Sequence, residues 1–205
     1  ASKEWAKKVF PGVPAKKATQ MLWDAILKTS RCNEDPIKAW EQHNADLKKR
    51  FTYLNSLNLD YLHYESNNGT NFKVWLTPLC EFAGGGETTS ESRIYFNPNI
   101  PSEEVFTSPI AGKAEGILFS TKPLSYQGEV IENFSIRFKD GKAVEVKAEK
   151  GQNLLEEMIK MDEGACKLGE VALVPFDSPI NQTGLLFYNT LYDENACCHF
   201  ALGFG

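Results

Sequence analysis

The sequence lacks the features that mark membrane-spanning and nucleic-acid-binding proteins. Its longest uninterrupted apolar runs, such as Gly116-Ile117-Leu118-Phe119, are far shorter than the roughly 20 residues of a membrane-spanning helix. The first residues, Ala1-Ser2-Lys3-Glu4-Trp5, do not contain the apolar stretch of a signal peptide. Asp and Glu (27) outnumber Lys and Arg (22), and the net charge of −5 gives no general attraction to nucleic acid or anionic lipid. We therefore expect neither nucleic acid nor a membrane among the partners.

Cysteine is present in an odd number and without regular spacing. The chain has no C-x-x-C pair, and its five cysteines are Cys32, Cys80, Cys166, Cys197 and Cys198. An odd, scattered set in a chain of this size argues against a disulfide framework and for a reducing compartment. We therefore expect the protein to be cytoplasmic.

The short motifs of several enzyme classes are also missing. There is no H-E-x-x-H, no G-x-S-x-G, no G-x-x-x-x-G-K-S/T and no G-x-G-x-x-G. These absences remove the usual sequence evidence for a helix-borne zinc site, a serine nucleophile, a phosphate loop and a dinucleotide fold.

The residues that are present predict a folded α+β protein. The chain has 205 residues, of which 42% are hydrophobic, enough for a sizeable core. In the first quarter, apolar residues recur at steps of three and four, which predicts helices. Pro14 suits the first turn of one helix, and Asp35-Pro36 is typical of a cap followed by proline at the start of another.

From about residue 60 the apolar pattern changes to the alternation of strands. Phe72, Val74 and Leu76 alternate with Lys73, Trp75 and Thr77, as in a strand. Asp140-Gly141 lies between two alternating runs, which is the strongest short-range signal for a hairpin. Residues 152–168 return to a helical pattern that Gly169 is placed to end, and a strand is predicted over residues 170–175.

This order predicts an α+β fold with a helical N-terminal portion followed by a strand-rich portion with antiparallel hairpins. The change of periodicity predicts a domain division, with residues 1–55 in a helical part and residues 56–205 in the strand-rich part.

Two carboxylate positions and one histidine could carry chemistry. Glu103-Glu104 lies between prolines and beside apolar residues, Glu170 opens an apolar strand, and His199 is embedded in apolar sequence after an acidic cluster. An isolated carboxylate in apolar surroundings is costly unless it is paired, hydrogen-bonded or bound to a cation. Glutamates and a neutral imidazole are ligands of Zn²⁺ and Co²⁺. The residues thus indicate a carboxylate-rich metal site, while surface or capping glutamates and a core histidine remain the alternatives.

Three long blocks carry a family resemblance. They are residues 99–109, beginning Asn99-Ile100-Pro101, residues 162–175, which contain Gly169-Glu170, and residues 186–203, which contain Cys198-His199. In these blocks the sequence resembles the thermophilic-aminopeptidase family of metallopeptidases, peptidase family M29, and weaker similarity covers essentially the whole chain. The resemblance implies that residues 56–205 are the N-terminal part of the catalytic domain and residues 1–55 the helical end of the amino-terminal domain.

The resemblance also implies a function and a site. The family hydrolyses the N-terminal peptide bond of peptides with a two-metal site, in which two divalent ions share a bridging carboxylate and activate a water. Its ligand pattern corresponds here to Glu104 (or its neighbour Glu103), Glu170 as the bridge, and His199, with Glu194 as a further candidate. The implied cofactors are two divalent ions, Zn, Co, Mn or Mg, and the implied partners are peptide substrates and a second copy of the chain in a homodimer.

The sequence departs from the family pattern after His199. The family has further ligands, an aromatic hydroxyl, a second histidine and an aspartate, beyond the position where this chain ends at Gly205. The resemblance therefore implies a central fragment with an incomplete site. The alternative is a non-catalytic binding or dimerisation module that keeps the fold without a complete metal site.

Overall fold

The computed structural model describes residues 1–79 and 81–203, so Cys80 lies outside the described residues. The elements in chain order are α1 (Lys3–Val9), α2 (Ala15–Thr29), α3 (Pro36–Ser56), β1 (Tyr61–Glu65), β2 (Asn71–Leu76), β3 (Glu87–Thr88), β4 (Tyr95–Phe96), β5 (Val105–Thr107), β6 (Pro109–Phe119), β7 (Leu124–Tyr126), β8 (Glu129–Lys139), β9 (Lys142–Lys150), α4 (Gln152–Met158), β10 (Leu168–Leu173), α5 (Pro179–Thr183), α6 (Thr190–Glu194) and β11 (His199–Leu202). The α+β class is confirmed, with helices first and antiparallel strands after them. None of the helices described combines the length and apolar character needed to cross a bilayer.

The N-terminal helices begin at the predicted signals. Pro36 is the first residue of α3, and the Asp35 carboxylate accepts a hydrogen bond from the backbone N–H of Lys38 at 3.1 Å. This satisfies one of the donors that a helix start leaves without a partner. Pro14 occupies the N-cap position of α2, one residue earlier than the first turn. Proline is tolerated at this position, because the helix has no partner for a backbone N–H there.

The chain divides into two compact units that alternate along the sequence. The first unit contains residues 1–51, 83–105 and 173–198, and the second contains residues 52–82, 106–172 and 199–205. A domain boundary near residue 55 stays a prediction.

The first unit has a core made by helices from both ends of its sequence. Phe187 stacks on Tyr192 with ring centroids 4.7 Å apart. The buried members of this core are Ala6, Val9, Ala18, Leu22, Ile180, Phe187, Tyr192 and Ala196. The apolar faces of α1 and α2 thus exclude water together with residues from 180 to 196, which come more than 150 positions later.

The second unit is built on a six-stranded antiparallel sheet. Its strand order is β1-β2-β6-β8-β7, with β9 paired to β8. The β8–β9 hairpin is confirmed, and Asp140 and Gly141 adopt the left-handed φ values of +50° and +72° that a two-residue turn requires. One face of this sheet buries Phe72, Phe138, Ile136 and the α4 residue Leu155.

The helix predicted over residues 152–168 is too long. Helix α4 ends at Met158, and the Asp162 carboxylate accepts hydrogen bonds from the backbone N–H groups of Gly164 (2.7 Å) and Ala165 (2.8 Å). An aspartate that bonds its own neighbouring backbone favours a turn over a helix. Gly169 consequently lies inside β10, and the strand predicted over residues 170–175 runs from Leu168 to Leu173.

A three-stranded sheet positions the candidate site residues. Its strand order is β11-β10-β5, so β10 is central. Strands β10 and β11 are antiparallel, with Glu170 opposite Ala201 and Ala172 opposite His199.

Candidate metal centre

The structure brings Glu170 and His199 together within the second unit. Residues 170 and 172 of β10 lie on one face because side chains alternate along a strand, and His199 is the cross-strand partner of residue 172. The two side chains are therefore diagonal neighbours on the same face. His199 Nε2 lies 3.5 Å from Glu170 Oε1, and both side chains are partly shielded from solvent.

This distance fits two ligands of one ion. Ligand atoms that each lie about 2.0–2.1 Å from a tetrahedral Zn²⁺ are about 3.3 Å apart. An imidazole nitrogen and a carboxylate oxygen are among the ligands that Zn²⁺ and Co²⁺ accept. Neither side chain would have to move far for both of these atoms to bind one divalent cation.

Glu104 directly precedes β5, the strand beside β10. The residue is buried, with 7% of its surface exposed. Gly84 packs against its backbone, because a Cβ on Gly84 would lie 2.7 Å from the Glu104 carbonyl oxygen. Any side chain at position 84 would therefore displace the Glu104 backbone.

Glu103 has a different environment from its neighbour. The Arg31 guanidinium donates from both terminal nitrogens to its carboxylate, Nη1 to Oε1 and Nη2 to Oε2, the second at 2.9 Å. Glu103 is 2% exposed. A bidentate arginine commits both carboxylate oxygens of Glu103 to an internal ion pair.

The backbone around Glu103 is also fixed. His43 Nε2 lies 2.6 Å from the Ser102 carbonyl oxygen, and the Glu103 N–H donates to Asn195 Oδ1 at 2.7 Å. Because a carbonyl only accepts, Nε2 of His43 carries a proton. Burial lowers the pKa of His43 below its usual range, more than the Ser102 bond and the nearby Glu103 raise it, so the ring is neutral near pH 7.

Glu194 is the last residue of α6, in the acidic stretch Asp193-Glu194-Asn195. Its neighbour Asp193 has a structural role, since its carboxylate accepts from the N–H groups of Phe187 (2.7 Å) and Asn189 (3.0 Å). A role for Glu194 as a ligand stays a prediction.

Sequence reasoning missed Arg31, His43 and Asn195. Arg31 and Glu103 are 72 residues apart, and Glu103 and Asn195 are 92 apart, so no local pattern connects them. His43 offered one signal, because it shares a helix face with the apolar residues Trp40 and Leu47.

The comparisons with known proteins identify the family. The family model for the thermophilic metalloproteases, M29, matches residues 1–205. The chain therefore belongs to the M29 family.

The matching relatives are aminopeptidases by name. Aminopeptidase AmpS of Bacillus subtilis (strain 168) is 48% identical over 99% of this chain, and aminopeptidase T of Thermus thermophilus is 46% identical over 97%. The solved structure of wild-type AmpT from Thermus thermophilus matches 99% of the chain with a TM-score of 0.92 and 44% identity. The matched regions are 49% and 48% of the two relatives and 49% of the solved chain, so the chain spans about half the length of the curated relatives it matches.

The family description implies a divalent metal cofactor, and the chain's residues fit one. Carboxylates and a neutral imidazole satisfy the preference of such ions for oxygen and nitrogen ligands. The Glu170–His199 pair supplies one ligand of each kind at a suitable separation.

Proposed function

We propose that this chain carries part of the metal centre of an aminopeptidase that releases N-terminal residues from peptides. Glu104, Glu170 and His199 are its metal ligands, Glu170 bridges two divalent ions, and Glu194 is a further candidate ligand. The observation that carries the proposal is the 3.5 Å separation of His199 Nε2 and Glu170 Oε1 on adjacent strands of one sheet.

Two features support Glu104 as the third ligand in place of Glu103. Both oxygens of the Glu103 carboxylate accept from Arg31, so an ion would have to compete with a bidentate arginine there. Glu104 is the residue before β5, and β5 is the neighbour of β10, which carries Glu170.

The chain's own residues set the electrostatics of the site. Carboxylate oxygens and an imidazole nitrogen are ligands that suit the binding of divalent cations and not of anions. Bound ions of this class polarise a scissile carbonyl and lower the pKa of a water, which is the chemistry that peptide hydrolysis needs. The partial burial of Glu170 and His199 limits competition from solvent for the same ligand atoms.

Metal titration of the 205-residue chain tests the proposal. We expect Co²⁺ to bind with a visible absorption band, and Glu170→Gln to abolish the band, because the amide is nearly isosteric but a poor anionic ligand. Glu104→Gln is expected to act in the same way. Glu129→Gln is the matched control, since Glu129 is exposed at the start of β8.

Hydrolysis of an aminoacyl p-nitroanilide by the Zn²⁺- or Co²⁺-loaded chain tests the reaction, with aminopeptidase T as the positive control. Unchanged Co²⁺ binding in Glu170→Gln would discard the metal centre. Binding without hydrolysis would instead favour the non-catalytic alternative for this chain.

A further inference from the structure

A partly buried ion pair, in which Glu103 is buried and Arg31 is half-buried, lies one residue from the proposed ligand Glu104. Arg31 follows α2, where its N–H donates to the Lys28 carbonyl and the N–H of Cys32 donates to the Leu27 carbonyl. This is the hydrogen-bond pattern of a helix end that normally carries glycine in the left-handed conformation. Arg31 adopts that conformation, with φ +55°, although a side chain is strained there.

The arginine side chain accounts for the strained position. From this backbone its guanidinium reaches the Glu103 carboxylate with two parallel hydrogen bonds, and it lies 5.9 Å from the Trp40 ring. Trp40 is itself fixed, since its Nε1 donates to the Ser30 carbonyl at 2.9 Å. A buried ion pair is weak evidence for stability, because the cost of desolvating the charges offsets their attraction. The strained backbone of Arg31 and the buried charge of Glu103 therefore point to a role other than stability.

The same segment is held at its backbone from two further sides. His43, on α3, binds the Ser102 carbonyl, and Asn195, at the end of α6, accepts from the Glu103 N–H. Asn195 is fully buried and anchored in turn, with its Nδ2 donating to the Leu191 carbonyl and its own carbonyl accepting from Ser178 Oγ. Three separate elements thus hold residues 102 and 103, directly before Glu104.

We propose that Glu103 and Arg31 are positioning residues, which hold the segment before Glu104 so that its carboxylate is preorganised to bind the metal ion. This inference rests on the proposed function, because it needs Glu104 to be a ligand. Partners that orient a ligand from outside the metal shell affect metal affinity strongly, with losses of about 10–100-fold on mutation. A ligand already held in place also loses less conformational freedom on binding.

Co²⁺ titration of Glu103→Gln, Arg31→Met and Arg31→Lys tests the proposal. We expect Glu103→Gln and Arg31→Met each to weaken Co²⁺ binding by about 10–100-fold. Arg31→Lys keeps the charge but loses the bidentate geometry, so it should recover part of the affinity. If Arg31→Met does not fold, Arg31→Lys is the variant to compare with the wild type.

The Arg31 variants distinguish positioning from direct ligation. If Glu103 were itself a ligand, Arg31→Met would free its carboxylate and strengthen Co²⁺ binding, which would overturn the proposal. The matched control is Leu22→Ala, a substitution in the core of the first unit, which should lower the urea midpoint and leave Co²⁺ affinity unchanged.

The ligand variants separate the two proposals. Wild-type affinity in Glu103→Gln, together with lost binding in Glu104→Gln, would overturn the positioning role and leave the metal centre standing. Wild-type affinity in Glu104→Gln, or no Co²⁺ binding by the unmodified chain, would overturn both.

Discussion

At the scale of single residues, we expect the buried His43 to make the stability of the protein depend on pH. The ring is 6% exposed, and the charged groups around it are Glu103, with Oε1 3.9 Å from Nε2, Arg31 and Arg50. Burial is the largest influence and lowers the pKa of His43; the two arginines act in the same direction, and Glu103 opposes them. In the unfolded chain the same imidazole titrates at about 6.5.

The sign of the pH effect follows from the lowered pKa of His43 in the folded protein. As the pH falls below about 6.5, the unfolded chain binds a proton that the folded chain does not, so the free energy of unfolding decreases. We expect the urea midpoint of the wild type to fall further than that of His43→Gln between pH 7.5 and 5.5. The difference between the two chains removes the shared contribution of the carboxylates. Equal losses in both chains would show that His43 does not titrate in this way.

At the scale of elements, two hairpin turns have the same left-handed backbone conformation but differ in the atoms that surround them. Gln127-Gly128 joins β7 to β8 and Asp140-Gly141 joins β8 to β9, with φ positive at all four residues. A Cβ on Gly128 would meet nothing within 4 Å, whereas a Cβ on Gly141 would lie 2.2 Å from the backbone of Gly112. The energetic cost of a side chain at positive φ can therefore be measured separately from the cost of a steric clash.

The matched substitutions are Gly128→Ala and Gly141→Ala. Gly128→Ala should lower the free energy of unfolding by about 1–2 kcal/mol, the cost of an L side chain in the left-handed region. Gly141→Ala carries that cost and must also displace Gly112, so its loss should be larger. Urea unfolding of both variants gives the comparison, and similar losses would mean that Gly112 moves aside freely.

Elements that are fixed by adjacent residues could be predicted from the sequence. The β8–β9 hairpin and the start of α3 depend on neighbouring residues, Asp140-Gly141 and Asp35-Pro36, and the sequence displays both. The apolar pattern of residues 152–168 continues past the end of α4 at Met158. The chain nevertheless forms a turn there, because the Asp162 carboxylate accepts hydrogen bonds from the backbone of the residues that follow it. Periodicity alone does not detect that competition.

At the scale of the whole molecule, long-range pairing sets the limit of prediction. Glu170 and His199 were identified by their apolar surroundings and by the family resemblance, and the register of β10 with β11 makes them neighbours. The choice between Glu103 and Glu104 was open in the sequence, because both lie in the same proline-bracketed segment. Arg31, which is distant in sequence and has a backbone conformation that no sequence pattern indicates, forms an ion pair with Glu103.

The alternation of the two units along the chain gives the last prediction, for a peptide of residues 1–55. The apolar faces of α1 and α2 pack against Ile180, Phe187 and Tyr192, which this peptide lacks. Isolated helices of 7 and 15 residues are marginal in water, because packing and not helix propensity supplies most helical stability. We expect circular dichroism to show weak helicity and no cooperative thermal transition.

Leu22→Ala provides the control for that experiment. Leu22 is fully buried in the full chain, where its truncation should lower the free energy of unfolding by about 2–5 kcal/mol. In the peptide the same change should have almost no effect on the melting curve, since the core that encloses Leu22 requires residues 180 to 196. A peptide that melts cooperatively, and that Leu22→Ala destabilises, would instead support an independent helical domain ending near residue 55.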